Sequence, residues 1–221
     1  MESAGKSYTH NEQLLLLKEQ FLKEAEDLFN GSNWTAKKEK DGVKWLDRDE
    51  KWNDRPVKGC EGEIGISWAN LTALITDPEV IVANAKVQGR KVQETRVVEH
   101  VDEQCIVLYE LHKPPFPVSK REIITLRCLK ELDDGRKLSI TKSIPYSTIP
   151  EDKYVRAECH FNCFLVEDLG NGSSKIRSCG YFDPRGSIPE VLKKKADEDH
   201  YRRVKIIGDS LGQLKKNGTL A

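Results

Sequence analysis

The chain has 221 residues, and its 36 Lys and Arg are balanced by 36 Asp and Glu. It therefore lacks the basic excess that displaces counterions from a phosphate backbone, so no nucleic-acid partner is expected. At 38% hydrophobic residues it is long enough to bury one sizeable core, and its longest leucine run, Leu14–Leu17, falls far short of a bilayer span. The start, MESAGKSYTHNEQ, shows no charged segment followed by an apolar one, so the expected location is cytoplasmic. Cysteines 60, 105, 128, 159, 163 and 179 form no C-x-x-C pair. They read as free buried thiols in a reducing compartment, with no metal site and no cofactor expected.

The first element is a helix over about residues 9–29. Thr9 and Glu12 form a capping-box pattern, and Leu14, Leu17, Phe21, Ala25 and Leu28 recur at helical spacing. WTAKKEK and VKWLDR flank Asp41-Gly42 as a hairpin, and VKGCEGEIGIS follows as a third strand. ANLTALITDPEVIVANAKV reads as two short helices, with Pro78 in the first turn of the second. From Lys91 onward six strands succeed one another through hairpin-length links, which predicts an antiparallel sheet. A long helix over about 187–217 ends the chain. Ser187 and Glu190 suggest another capping box, and Ile188, Leu192, Ala196, Val204, Ile207, Leu211 and Leu214 lie on one stripe. Its charged middle, KKKADEDHYRR, reads as a solvated face. With no repeat and no linker, residues 1–221 are expected to form one α+β domain. The long helix must cover a nine-stranded curved sheet and leave a pocket between them.

One stretch resists a simple reading. CIVLYELH and REIITLRCLKEL flank a loop with three prolines, yet each apolar run carries a charge in its middle, Glu110 and Arg127. Alternation groups Arg127 with Ile123 and Thr125 on one face, and Tyr109 with Val107 and Leu111. Tyr109 and Glu110 cannot both point inward from a regular strand, and a slip of one residue exchanges them. In residues 154–166, Val155, Ala157, Cys159, Phe161, Cys163 and Leu165 alternate with Arg156, Glu158, His160 and Asn162. Pattern alone turns the polar set toward water.

PFPVSKREIITLR, followed by a strand-rich stretch and then GYFDPRGSIPEVL, resembles the START (StAR-related lipid transfer) domain family, most nearly its phosphatidylcholine transfer protein branch. The resemblance implies a helix-grip fold: a nine-stranded sheet closed by the C-terminal helix around one lipid. It also implies that the proline loop gates the cavity mouth and that Arg127 faces the cavity. In the sterol-binding branch a glutamate partners that arginine, which would be Glu110. In the phosphatidylcholine branch an aromatic one position earlier faces inward, and here that is Tyr109, the inward residue expected. The resemblance further places His160, Asn162 and Ile123 on the headgroup side, with His160 and Ile123 standing where that branch has aromatics. A choline cage of ring faces would thus be incomplete. The branch's phosphate-binding arginine has no secure counterpart, although Arg90 lies nearby.

The expected lipid-binding set is therefore Tyr109, Glu110, Ile123, Thr125, Arg127, His160 and Asn162. The expected function is a monomeric carrier that encloses one glycerophospholipid and touches membranes transiently. A sterol-binding protein, a lipid sensor regulating a partner and a helix-grip enzyme are the alternatives. His10, His100, His112, His160 and His200 are scattered, and neither G-x-S-x-G nor H-E-x-x-H occurs, so no catalytic residues are expected.

Overall fold

The structure, a computed structural model, describes residues 9–31, 33–52, 55–149 and 153–220. Helix α1 (His10–Asn30) opens with the expected capping box: Glu12 donates its backbone N–H to Thr9 Oγ1 at 3.3 Å, and its carboxylate accepts from Thr9 N at 2.7 Å. Strands β1 (Trp34–Lys40) and β2 (Val43–Trp52) meet at Asp41-Gly42, both with positive φ, as a two-residue hairpin turn of this kind requires. After β3 (Arg55–Ile64) come α2 (Trp68–Thr76) and α3 (Pro78–Val87). Asp77 caps α3 by accepting from the backbone of Glu79 and Val80, and Pro78 occupies the first turn, where its missing N–H costs nothing.

The remaining strands are β4 (Val92–Asp102), β5 (Cys105–His112), β6 (Arg121–Glu131), β7 (Lys137–Ser143), β8 (Val155–Arg156), β9 (Glu158–Asp168) and β10 (Ser174–Asp183). The sheet runs β1-β2-β3-β10-β9-β7-β6-β5-β4, antiparallel throughout that path. Its tenth strand, β8, is a two-residue segment paired parallel to Arg121–Glu122. The stretch expected as one strand thus divides at Ala157, whose N–H bonds Glu122 O.

Both faces of the sheet are covered. On the outer face α1 packs Leu14, Phe21, Leu22 and Ala25 against Val107, Tyr109, Leu126, Cys128, Ile140 and Cys163. On the inner face Leu71 and Ile75 of α2 join Val204, Ile207, Leu211 and Leu214 over Cys60, Ile64, Leu129, Phe164 and Ile176. Ser210 Oγ donates to Asn84 Oδ1 at 2.7 Å and locks the last helix to α3.

That last helix departs from expectation. It is two helices, α4 (Glu190–Tyr201) and α5 (Arg203–Lys216), separated at Arg202. The apolar stripe is buried only in α5; Leu192 is half-buried and Ala196 exposed. At the break, Tyr201 stacks on Trp45 with ring centroids 4.8 Å apart, and the next turn swings Arg203 inward. The Ser187–Glu190 box is not formed. α4 begins at Glu190 behind Pro189, which has no side-chain acceptor, and the Ser187 carbonyl accepts from Arg121 instead.

Candidate functional site

The register decides which residues meet. Glu110 opposes Ile123, Leu108 opposes Thr125 and Ile106 opposes Arg127 across β5 and β6, so all six share the inner face. Arg127 opposes Thr141, Thr141 opposes Asn162, Asn162 opposes Gly180 and Gly180 opposes Lys58. One row therefore crosses five strands, and neighbouring columns lie about 4.8 Å apart.

Arg127 and Glu110 form a buried ion pair, their side chains 10% and 9% accessible. Arg127 also donates to Ile75 O of α2 at 2.8 Å and to Thr125 Oγ1 at 3.2 Å. His112 Nε2 lies 3.7 Å from the free oxygen of Glu110; burial, with Arg90 and Arg127 nearby, outweighs Glu110 and lowers its pKa. This arrangement corrects the expectation for β5. Tyr109 faces outward into the α1 core, its hydroxyl donating to Glu122 at 3.1 Å and the Arg96 guanidinium over its ring at 4.9 Å. It does not meet Arg127.

In β9 the alternation pattern is overturned, and Asn162 stands where the resemblance implied. Asn162 faces the interior, with Phe164 and Val166, rather than water, because α1 covers the alternate set Phe161, Cys163 and Leu165. His160 occupies a one-residue register shift, between Phe161 opposite Tyr181 and Cys159 opposite Phe182. Its ring lies half-buried beside Tyr181, centroids 5.1 Å apart, and its Nδ1 is 3.4 Å from Glu158. Ile123, Thr125, Arg127, Glu110 and Asn162 are thus gathered on one face, while Tyr109 is separated from them.

Two further residues belong to this neighbourhood. Arg203, read from sequence as part of a solvated run, donates to Asn162 Oδ1 and lies 3.0 Å from His200 Nδ1. Arg90 is fixed by the end of α3, where Gly89 takes positive φ and the Arg90 N–H returns to Ala85 O at 2.8 Å. Its guanidinium feels Glu110, Arg203 and Asp199. Arg90 and Arg203 both retain accessible surface, yet desolvation is the largest influence on each and lowers both pKa values. His200 is held neutral, its pKa pushed down to about 3 by burial and then by Arg203. The two surface hollows, of about 300 Å³ beside Ser119 and Tyr154 and about 310 Å³ beside Gly65 and Lys205, lie apart from this row.

The two sequence motifs meet at one side chain. Arg121 donates to Ser119 Oγ at 2.9 Å and to the carbonyls of Pro184, Arg185 and Ser187 at 3.4, 3.1 and 3.3 Å. It ties the proline loop to the segment that leads into α4. At the loop tip Phe116 is 96% exposed, and Val191 in the first turn of α4 is 78% exposed.

A curved antiparallel sheet closed by a C-terminal helix over a polar row on its inner face is the helix-grip architecture. The sequence model of the START domain matches residues 72–205, and the chain belongs to the START domain family. Over 124 residues it is 30% identical to the mouse phosphatidylcholine transfer protein, a match covering 54% of this chain and 57% of that relative. The chain thus aligns with little more than half of that protein's length. Human StAR-related lipid transfer protein 5 superposes with a TM-score of 0.75 at 14% identity, covering 92% of this chain and 98% of that one. Human STARD10 does so with 0.73 at 18% identity, covering 97% and 84%. Among the described residues no helix is long and apolar enough to cross a membrane.

Proposed function

We propose that this protein is a cytoplasmic lipid carrier in which residues 1–221 act as one domain that encloses a single glycerophospholipid and moves it between membranes. The observation that carries the reading is the buried Glu110–Arg127 ion pair beside the polar row Arg127–Thr141–Asn162 on the inner face of the sheet. A protein selected for stability alone would fill that space with hydrocarbon, since buried ion pairs seldom stabilise more than packed apolar residues do. Each acyl CH₂ taken from a membrane needs roughly 0.8 kcal/mol of equally dry surroundings, which the sheet and α5 supply. Arg127, Thr125 and Asn162 would orient the headgroup, with Glu110 holding the Arg127 fork in place. Ile123 would line the acyl–headgroup boundary, and His160 would sit at its edge. Likeness to a phosphatidylcholine transfer protein supports the phospholipid. So do Arg90 and Arg203, whose charges a phosphate would meet. Phe116 and Val191, beside the Arg121 junction, would touch the bilayer during exchange.

A sterol is the second reading, favoured by the direct Glu110–Arg127 pair. One hydroxyl would suit that pair, but it would leave Arg90 and Arg203 without a counter-charge. The test is vesicle-to-vesicle transfer of labelled phospholipids and cholesterol by the purified chain, with mass analysis of co-purified lipid. Phospholipid transfer without cholesterol transfer is expected. Exclusive cholesterol transfer would replace this reading with the second, and no transfer of either would refute both.

A further inference from the structure

We infer that the interior prefers phospholipids whose headgroup carries net negative charge, and that Arg203 sets this preference. The inference rests on the reading that a phospholipid fills the space. It begins with where the interior charges find partners. Arg127 is met by Glu110 in a direct ion pair. Arg203 spends its donors on neutral acceptors, Asn162 Oδ1 and His200 Nδ1. Arg90 has no hydrogen bond from its side chain and no ion pair among the described residues. Asp199 is the remaining carboxylate that acts on both arginines, and it contacts neither. His112 and His200 add no cation near neutral pH, because burial lowers both of their pKa values. Arg203 therefore meets the polar row without a contacting carboxylate, and Arg90, itself exposed, lies close enough for the two charges to repel.

The fold provides for Arg203 specifically. It is the first residue of α5, and the break at Arg202 turns it toward the sheet. Beneath it the row has a glycine: a Cβ on Gly180 would stand 3.1 Å from Arg203 Nη1 and 3.1 Å from Phe161 O. Asn162 and Arg127 are two columns apart in the row, about 10 Å between their backbones.

A zwitterionic headgroup suits this space poorly. Its phosphate could meet one guanidinium, but its ammonium would then lie beside the other. The three cage positions give no ring cage to hold that ammonium, because Tyr109 faces α1, position 123 is isoleucine and the His160 ring lies beside Tyr181. A headgroup with a second anionic or hydroxyl group satisfies both guanidiniums through charge-assisted hydrogen bonds.

The experiment is competitive uptake from vesicles by the full chain. Labelled phosphatidic acid, phosphatidylserine and phosphatidylinositol compete with phosphatidylcholine and phosphatidylethanolamine, and inorganic phosphate serves as a soluble competitor. Anionic lipids should win by about tenfold or more, the usual scale for one charge-assisted contact. Arg203→Gln should bring that ratio close to one, and Arg203→Lys should keep most of it. Inorganic phosphate should displace nothing. Equal uptake of anionic and zwitterionic lipids by the wild-type chain would overturn the inference while leaving the carrier reading intact. An unchanged ratio in a stably folded Arg203→Gln would also overturn it, as would displacement by inorganic phosphate. Failure to take up any phospholipid would remove the carrier reading and this inference together. The wild-type comparison stands even if Arg203→Gln fails to fold.

Discussion

Removing Glu110 should expose the cost of the charge that sits opposite it. Both side chains of the Glu110–Arg127 pair are about nine-tenths buried. In Glu110→Ala, Arg127 keeps only the Ile75 carbonyl and the Thr125 hydroxyl. These are neutral acceptors, and they leave a buried guanidinium without a counterion. Breaking a buried pair in this way costs about 3–5 kcal/mol. In a chain of this length each kcal/mol moves Tm by about 2–4 °C, so the expected drop is ~6–20 °C. Arg127→Leu should also destabilise, but with a signature. It removes a charge that lowers the His112 pKa and leaves Glu110, which raises it. Protonated His112, 3.7 Å from Glu110, can then replace the lost cation, so the penalty should shrink as the pH falls. Replacing both residues with leucine should be neutral or stabilising by up to about 4 kcal/mol, because Ile81, Ile106 and Leu108 already make that region apolar. Urea unfolding measures all three variants, and vesicle transfer of phospholipid is run on each. The double variant should be stable and inactive. A Glu110→Ala cost below about 1 kcal/mol would mean that the pair is hydrated like a surface pair. Wild-type transfer by the double variant would show that the pair serves no lipid.

Tyr109→Phe should leave headgroup preference unchanged and cost about 1 kcal/mol, because its hydroxyl serves Glu122 on the α1 side; altered preference in the competition assay would contradict the register of β5. Arg121→Met should loosen the link between the proline loop and the start of α4, read as faster amide exchange over residues 184–190 with the sheet core unaffected. Phe116→Asp should slow transfer from vesicles without changing Tm, since the ring is exposed; an unchanged rate would remove the loop from the membrane contact. His200 gives a pH test. Its pKa is lowered to about 3, while the unfolded chain titrates near 6.5, so the unfolded state binds the extra proton between those values. Stability should therefore fall as pH drops below about 6.5, by up to about 1.4 kcal/mol per pH unit, before the carboxylates begin to titrate near 4.5. His200→Gln should flatten that slope over pH 4.5–6.5, where a slope identical to wild type would contradict a neutral His200.

How much of this could be read in advance depends on what each signal reports. Most local signals held: the Thr9–Glu12 box, the Asp41-Gly42 turn and Pro78 in the first turn of α3 act through backbone groups within a few residues, while the Ser187–Glu190 box did not form. The helix-grip order also followed, because hairpin-length links leave few ways to arrange successive strands. Facing was another matter. Hydrophobic alternation reports a face only when the opposite face meets water, and β5 is buried on both sides, with Tyr109 under α1 and Leu108 under α3. The same double burial misdirected the reading of β9, where the apolar set belongs to α1 and Asn162 to the interior. Arg203 was hidden for a different reason. It lies in a run whose other charges are mostly on the surface, and its inward turn follows a helix break beside the Tyr201–Trp45 stack, a contact between residues far apart in sequence.

The misplaced residues line the interior: Glu110, set aside for Tyr109 on the resemblance, and Asn162 and Arg203, misread from pattern. Each is a polar side chain where a two-layer fold would take hydrocarbon, and each is held by a specific partner, Arg127, Arg203 and His200 respectively. Positions at which local pattern and global fold disagree cost stability, and natural chains keep such positions chiefly at functional sites. Here the disagreements are not scattered. They fall on the inner face of β5 and β9 and on the helix turn above it, as expected of an interior shaped around the polar end of a lipid.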